Sequence, residues 1–454
     1  MKKYDIIIIG SGPGGYTASI RAAQLGMKVC IIEKEKLGGT CLNWGCVPTK
    51  SLIKSIKILE NIKNSSEYGI DVKKVNINFK KIINRSRKIV EEISKGAECI
   101  LKKNKIDIVY DTGVLKSNKT IELKKKKCIY SAKNIIIATG SRNKDTSNIK
   151  IDGKKVIGYK EIVLLKKIPK SMTIIGSGSI GIEFSYFYNS IGTKITIIEP
   201  GENILPKQDK DVSSYIEKHL KEKNIEIYKK SKIIRIEKKK ECEIIIKNEE
   251  KYEKIKSEII FLAISKKSNI ENIGIENIGI KVKNDKIITN EFYETNIKGI
   301  YAIGDIINTP SLAHVASAEG IICVEKISGI NVEKIDYDNI PSCIYYNPEI
   351  SSIGKTEKEL KKKKYKTGKF YFRNSENSII SGEKEGFIKI IFDIKSNEII
   401  GAHMIGNNVI EIISEITIAK KVKLTIDDII KIIHPHPTIS ESITEVSKII
   451  NKKK

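Results

Sequence analysis

Ile6-Ile7-Ile8-Ile9-Gly10-Ser11-Gly12-Pro13-Gly14-Gly15 stands almost at the start of the chain, and its reading decides the fold. Four consecutive β-branched residues suit a strand buried on both faces, the condition of a parallel sheet. The glycines follow at once, then a helical segment through Gly26, then a strand from Lys28 to Ile32 that ends in Glu33. Strand, helix and terminal acid in register read as a βαβ dinucleotide-binding unit. Gly10 permits the tight turn, Gly12 lets a pyrophosphate approach the backbone, and Gly15 lets helix and strand pack closely. Glu33 falls where an acid binds ribose hydroxyls.

The pattern returns further along. Ser171-Met172-Thr173-Ile174-Ile175 precedes Gly176-Ser177-Gly178-Ser179-Ile180-Gly181, followed by a helix to Gly192, a strand from Lys194 to Ile198, and Glu199. Two nucleotides are therefore expected. Glu199 favours NAD over NADP, because a carboxylate repels the 2'-phosphate. A third signal is the strand-like run Thr295 to Ile303 ending in Gly304-Asp305. On its own it marks only a turn; beside a flavin it presents a carboxylate to ribityl hydroxyls.

Between the glycine units lies Gly38-Gly39-Thr40-Cys41-Leu42-Asn43-Trp44-Gly45-Cys46-Val47-Pro48-Thr49-Lys50. Two cysteines so spaced in a glycine-rich turn can close a small, strained disulfide, and strained disulfides are the reducible ones. Next to a dinucleotide site this points to a redox-active disulfide beside a flavin. A helix is expected from Ser51 to Tyr68, which sets the cysteines near its N-terminal end, where an anion is stabilised and a thiol pKa falls. Trp44, the only tryptophan, lies between them. The other six cysteines are scattered, as suits a reducing compartment, and no His/Cys cluster has metal-ligand spacing, so no metal is expected.

At 454 residues the chain is long enough for roughly three or four domains. The apolar run before Gly10 is too short for a signal-peptide core, and nothing approaches the roughly 18 apolar residues that cross a bilayer, which places the protein in the cytoplasm, off the membrane. The net charge of +27 would suit nucleic acid, but the lysines are spread along the chain, with short runs at Lys124 to Lys127, Lys238 to Lys240 and Lys361 to Lys364 and no interleaved aromatics. Lysine, isoleucine and asparagine share A/T-rich codons, so coding bias accounts for the composition without a nucleic-acid partner. The charge is expected only to speed association with acidic partners.

Taken in order, these motifs resemble the pyridine nucleotide-disulfide oxidoreductases. The same order holds for Ala138-Thr139-Gly140-Ser141, Leu312-Ala313-His314, Pro341-Ser342, Pro348-Glu349, and His434-Pro435-His436-Pro437-Thr438 with Glu441. The resemblance covers nearly the whole chain. It implies an α/β fold with two Rossmann-like dinucleotide-binding domains, for FAD and NAD, and an α+β C-terminal dimerisation domain. The implied domains are 1–150 for FAD with the redox disulfide, 151–270 for NAD, a central segment 271–340 completing the FAD site, and 341–454 for dimerisation.

It also implies residue roles. Cofactor contacts fall at Gly10, Gly12, Gly14, Gly15, Glu33, Thr40, Lys50, Gly113, Thr139, Gly140, Ser141, Asp305 and Ala313. In the second unit they fall at Gly176, Gly178, Ile180, Gly181, Glu199, Ile233 and Ala263. Dihydrolipoamide on a lipoyl domain, of an acyltransferase or a glycine-cleavage carrier, would reduce the Cys41-Cys46 disulfide, with FAD passing electrons to NAD. Cys41 would meet substrate and Cys46 the flavin, with Lys50 and Glu183 as an ion pair beside it. His436, backed by Glu441, would be the base for a thiol, reaching it across a homodimer interface. His434 would support the turn, His314 would stand behind the flavin contacts, and His219 and His403, with no neighbouring acid or cysteine pattern, would be structural.

Two departures stand out. The family commonly carries Ala-Ile-Gly-Arg-x-Pro-Asn where this chain reads Ala263-Ile264-Ser265-Lys266-Lys267-Ser268-Asn269, and its lysine after Leu-Ala-His is here Val315. Lysine for arginine keeps the charge but loses the bidentate fork. Among relatives, glutathione reductase uses NADPH, which Glu199 opposes. Mercuric reductase needs a C-terminal cysteine pair, and this chain ends Asn451-Lys452-Lys453-Lys454. Soluble transhydrogenase is not expected to keep both Cys41 and Cys46. From another class, the chain could chiefly hold a multienzyme complex together.

Overall fold

The isoleucine run becomes a central strand. In a computed structural model describing residues 2–145, 149–249, 251–264, 266–360 and 364–452, β1 (Lys2–Ile9) leads through α1 (Pro13–Gln24) to the parallel β2 (Val29–Glu33). Ser265 and Lys361 to Lys363 lie outside the described residues. Ile6, Ile7 and Ile8 are fully buried, as a strand covered on both faces requires. The chain then makes the short α2 (Gly39–Asn43), α3 (Cys46–Lys63) and the amphipathic α4 (Phe79–Lys103). β3 (Asp107–Tyr110) joins the edge beyond β2, and β4 (Gly113–Ser117), β5 (Thr120–Leu123) and β6 (Cys128–Ile137) fill the other side in the order β3-β2-β1-β6-β5-β4.

After β7 (Ser141–Asn143), β8 (Val156–Ile157) and α5 (Tyr159–Ile162), the glycine unit is built again. β9 (Ser171–Ile175), α6 (Ser179–Ser190), β10 (Lys194–Ile198), α7 (Lys210–Glu222) and β11 (Glu226–Tyr228) repeat the alternation. An antiparallel meander, β12 (Ser231–Lys238), β13 (Cys242–Asn248) and β14 (Lys251–Ser257), returns the chain to β15 (Ile259–Leu262). The second sheet runs β11-β10-β9-β15-β8, all parallel. β16 (Lys266–Ser268) pairs back onto β7. The hairpin β17 (Val282–Lys283) and β18 (Lys286–Ile287) follows, and β19 (Ile300–Ala302) adds a parallel strand to the first sheet beside β6 before α8 (Ala313–Ile327) packs on α1.

The remainder is an antiparallel sheet with helices. β20 (Ser342–Ile344), β21 (Glu349–Gly354), β22 (Tyr365–Tyr371), α9 (Glu376–Ile380), β23 (Phe387–Asp393) and β24 (Ile399–Gly406) arrange as β20-β21-β24-β23-β22. α10 (Val409–Lys421), α11 (Ile426–Lys431) and α12 (Glu441–Asn451) close it. The α/β class with two Rossmann-like units and an α+β C-terminal unit is thus the class observed. Among the described residues, no helix is long and apolar enough to cross a membrane.

Two joints position the site. Leu52, Ile53 and Ile56 of α3 share one core with Met172 and Ile174 of the second sheet and with Ile350 and Ile405 of the C-terminal sheet. The other joint is polar: Lys389 on β23, 1% exposed, meets Asp209 and Asp211 at the start of α7, both at 2.8 Å, and Glu357. These three carboxylates are close enough together to hold a cation, and the Lys389 ammonium is the cation they hold. Two further histidines have acids near them in space. His219 lies 3.9 Å from Glu385, and the buried His403 feels the charge of Asp209 although burial holds its pKa down.

Candidate functional site

The two glycine turns are built alike. Gly10 and Gly176 take φ values of 102° and 100°, where a side chain is strained. A Cβ on Gly15 would lie 1.9 Å from the Gly10 carbonyl oxygen, and one on Gly181 would lie 2.1 Å from that of Gly176, so helix and turn touch. Gly12 and Gly178 differ: a Cβ there would meet nothing within 4 Å. Each helix N-terminus therefore exposes bare backbone to open space, the cradle a pyrophosphate needs. Gly14 instead packs against Ala316 of α8, and Gly113 sits buried against Ile32 and Ile121.

The acids end their strands as expected, and each is tied back to its own turn. Glu33 Oε2 accepts from the Ser11 backbone N–H at 3.0 Å and hydroxyl at 2.6 Å, and Glu199 Oε2 accepts from the same groups of Ser177 at 2.9 and 2.5 Å. The second oxygen of each takes a backbone N–H two residues on, at Glu35 and Gly201. In the sequence only the recurrence of serine at the variable position signals Ser11 and Ser177.

The cysteines sit differently from their sequence placement. α3 begins at Cys46 itself rather than at Ser51, and Cys41 lies in α2. Both are thiols in this structure, not a disulfide. The Cys41 thiol donates to Cys46, which holds Cys41 well above its ordinary pKa and brings Cys46 down to about 7. Partial desolvation works against that lowering and Lys50 supports it. Lys50 Nζ bonds both oxygens of Glu183, each at 2.9 Å, because α3 packs on α6. Glu183, 4% exposed, also accepts the Tyr345 backbone N–H, and the Lys50 ammonium lies 4.5 Å from the Tyr345 ring centroid. Burial disfavours the charge on Lys50, yet Glu183 keeps its pKa raised. Thr40 accepts the backbone N–H groups of Trp44 and Gly45 through its carbonyl oxygen, closing the loop between the thiols.

Asp305 lies at the C-terminal end of β19. Its Oδ2 accepts from the Ser141 hydroxyl at 2.5 Å and from Lys266 Nζ at 3.1 Å; burial would raise its pKa, but these partners hold it below the ordinary value. The substituted segment therefore keeps its place: β16 pairs with β7, Asn269 and Thr139 exchange hydrogen bonds of 2.7 and 2.9 Å, and Gly140 turns at a φ of 66°. Glu319, fully buried and also unremarked in the sequence, accepts the Gly304 N–H at 2.6 Å and the Tyr337 hydroxyl at 3.0 Å. It fixes the backbone from which Asp305 projects. Ala313 opens α8, and His314 bonds the Pro341 carbonyl at 3.0 Å. Val315 is buried, so no cation stands in its place. Ala263 and Ile180 border the second turn; Ile233 lies on the separate β12, packed on a cluster holding Ile175 and Ile198.

His436 stands apart from these groups. Its Nδ1 lies 3.0 Å from Glu441 Oε1, and Glu441 Oε2 accepts the Thr438 N–H at 2.8 Å. The hydrogen bond and charge of Glu441 raise the His436 pKa. His434 is pinned between Glu415 at 2.6 Å and Thr444 at 3.0 Å. Among the described residues the ionic partners of His436 are Glu441 and Glu376. The glycine cradles, the paired acids and Asp305 fit two dinucleotides, and α3, which starts at Cys46, packs on α6 of the second unit.

Comparison with known proteins finds similarity along nearly the whole chain. A family model described as pyridine nucleotide-disulphide oxidoreductase matches residues 4–320, and the model of that family's dimerisation domain matches residues 340–447. A dihydrolipoyl dehydrogenase of Rhizobium etli is 38% identical, covering 98% of this chain and 97% of the relative, and one of Bacillus subtilis is 38% identical with the same coverage. The mitochondrial dihydrolipoyl dehydrogenase of Pisum sativum is 34% identical, covering 98% of this chain and 90% of its own. The crystal structure of LpdA from Mycobacterium tuberculosis superposes with a TM-score of 0.91 at 21% identity, covering 99% of both chains, a likeness of fold.

Proposed function

The chain belongs to the pyridine nucleotide-disulphide oxidoreductase family, and we propose that within it the protein acts as a dihydrolipoyl dehydrogenase, a homodimeric flavoprotein that oxidises dihydrolipoamide and reduces NAD. One observation carries the reading: a thiol pair at the start of α3 in which Cys41 keeps its proton and Cys46 is the favoured anion, with the Lys50-Glu183 pair behind it. A pair so arranged, once reduced, holds one thiol and one thiolate.

In the forward reaction His436 Nε2 takes the proton of one substrate thiol, breaking S–H and forming N–H. The thiolate attacks Cys41 of the oxidised pair; a substrate–Cys41 bond forms as the Cys41–Cys46 bond breaks, and Cys46 leaves as thiolate. The second substrate thiol attacks its own mixed disulfide, lipoamide closes, and the remaining proton ends on Cys41. The substrate has lost two electrons and the cysteine pair has gained them. The first glycine turn with Glu33, Asp305 and Ser141 would hold FAD, and the second with Glu199 would hold NAD. Bound FAD supplies the relay for the electron pair between dithiol and nicotinamide. Cys46 at the helix N-terminus and Lys50 keep the leaving sulfur anionic.

Among the described residues, the hydrogen bond of His436 goes to Glu441 and not to a thiol, which supports a base supplied across the dimer. The substrate's carrier would be a lipoyl domain, of an acyltransferase or a glycine-cleavage protein, met in the cytoplasm. The purified protein is expected to be yellow, to change its flavin absorption with dihydrolipoamide, and to turn over with NAD. Turnover with NADPH and glutathione disulfide, without NAD-linked oxidation of dihydrolipoamide, would overturn the reading.

A further inference from the structure

His436 has a carboxylate on each nitrogen. Glu441 of α12 sits 3.0 Å from Nδ1, while Glu376, the first residue of α9, sits 3.3 Å from Nε2. The second contact does not follow from the histidine's own loop; it is made by a separate element brought alongside. Asn377, next to Glu376, donates its side-chain amide to the Pro437 carbonyl at 3.3 Å, so α9 is tied to the His434-to-Thr438 loop just beside the ring. The loop cannot easily swing away, since His434 is held by Glu415 and Thr444 and Thr438 by Glu441.

Nδ1 hydrogen-bonds Glu441, while Glu376 lies at ion-pair distance from Nε2, so the two carboxylates together favour the imidazolium, protonated on both nitrogens. That is the imidazolium left after the base has taken a thiol proton. Resting on the reading of His436 as the base, we propose that Glu376 is a positioning residue for it: Glu376 stabilises the proton on Nε2, the nitrogen that exchanges it with substrate, and so sets the pH above which the base becomes available. The charged groups that face the ring are Glu441 from α12 and Glu376 from α9, and His434 on the same loop acts on Glu441. Both carboxylates act in the same direction. Glu441 orients the ring and does so in every state, whereas Glu376 favours only the protonated one.

The sign follows directly. A base must be unprotonated to work, so a group that favours its protonated form moves the acid limb of the rate profile to higher pH. Removing Glu376 moves the limb to lower pH, and at a fixed pH on that limb the rate rises roughly twofold to threefold, the size expected of one solvent-accessible ion pair. The test is the pH profile of kcat/KM for oxidation of dihydrolipoamide by the holoenzyme, measured for the wild type, Glu376→Gln, Glu376→Asp and Glu441→Gln. Glu376→Gln is expected to shift the limb down with a plateau near that of the wild type, Glu376→Asp to restore the limb, and Glu441→Gln to depress the plateau. If Glu441→Gln depresses the plateau while the Glu376→Gln profile overlays the wild type, the role of Glu376 is refuted and the base stands. If Glu441→Gln also leaves the plateau unchanged, the assignment of the base fails, and the role of Glu376 fails with it.

Discussion

At the scale of single residues, chemistry is assigned by hydrogen-bond direction. The Cys46 pKa is brought down to about 7 chiefly because the Cys41 thiol donates to it, with Lys50 adding charge. Alkylation of Cys46 in the reduced protein should therefore reach half its limiting rate near pH 7, rising with pH as thiolate forms. Cys41→Ala removes the donor and should move that midpoint up toward an ordinary thiol; a midpoint unchanged or lower would contradict the assignment. Lys50→Met should also raise it, and should cost about 3 kcal/mol of stability by leaving Glu183 buried without its cation, read as a lower melting midpoint. Residue types were legible from the chain because chemistry constrains them: thiols, a base, two acids. Their buried supports were not. Ser11, Ser177 and Glu319 act through contacts with residues distant in sequence or through a turn that tolerates many side chains, and nothing local marks them.

At the scale of elements, the glycines separate by what each leaves room for. Gly15→Ala would drive a methyl group into the Gly10 carbonyl and should prevent a stable first unit. Gly12→Ala meets no protein atom, so the apoprotein should melt as the wild type does while binding FAD more weakly, measured by flavin retention on desalting. Gly178→Ala should keep its flavin and raise KM for NAD. A Gly12→Ala protein that retains FAD normally would show that the open face is not the cradle. Strand and helix alternation could be read ahead because periodicity and glycine placement are local. The helix expected from Ser51 begins five residues earlier, because proline is tolerated in the first helical turn, so Pro48 lies inside α3 and Cys46 takes the N-terminal position.

For the whole molecule, the decisive contacts join segments far apart in the chain. Lys389 against Asp209, Asp211 and Glu357 ties the C-terminal sheet to the second nucleotide unit, and Lys389→Met should destabilise by roughly 3–5 kcal/mol, since three carboxylates lose one buried cation. Thermal unfolding checks this, and an unchanged midpoint would count against a structural role. No sequence spacing announces such a joint. The proposed site also belongs to this scale, with the dithiol of one subunit working with His436 of another. Inactive Cys46→Ser and His436→Gln homodimers should, after mixing and subunit exchange, recover about one quarter of wild-type turnover, because half the dimers are hybrid and each hybrid holds one intact site. No recovery, with exchange shown to be complete, would contradict a site shared between subunits.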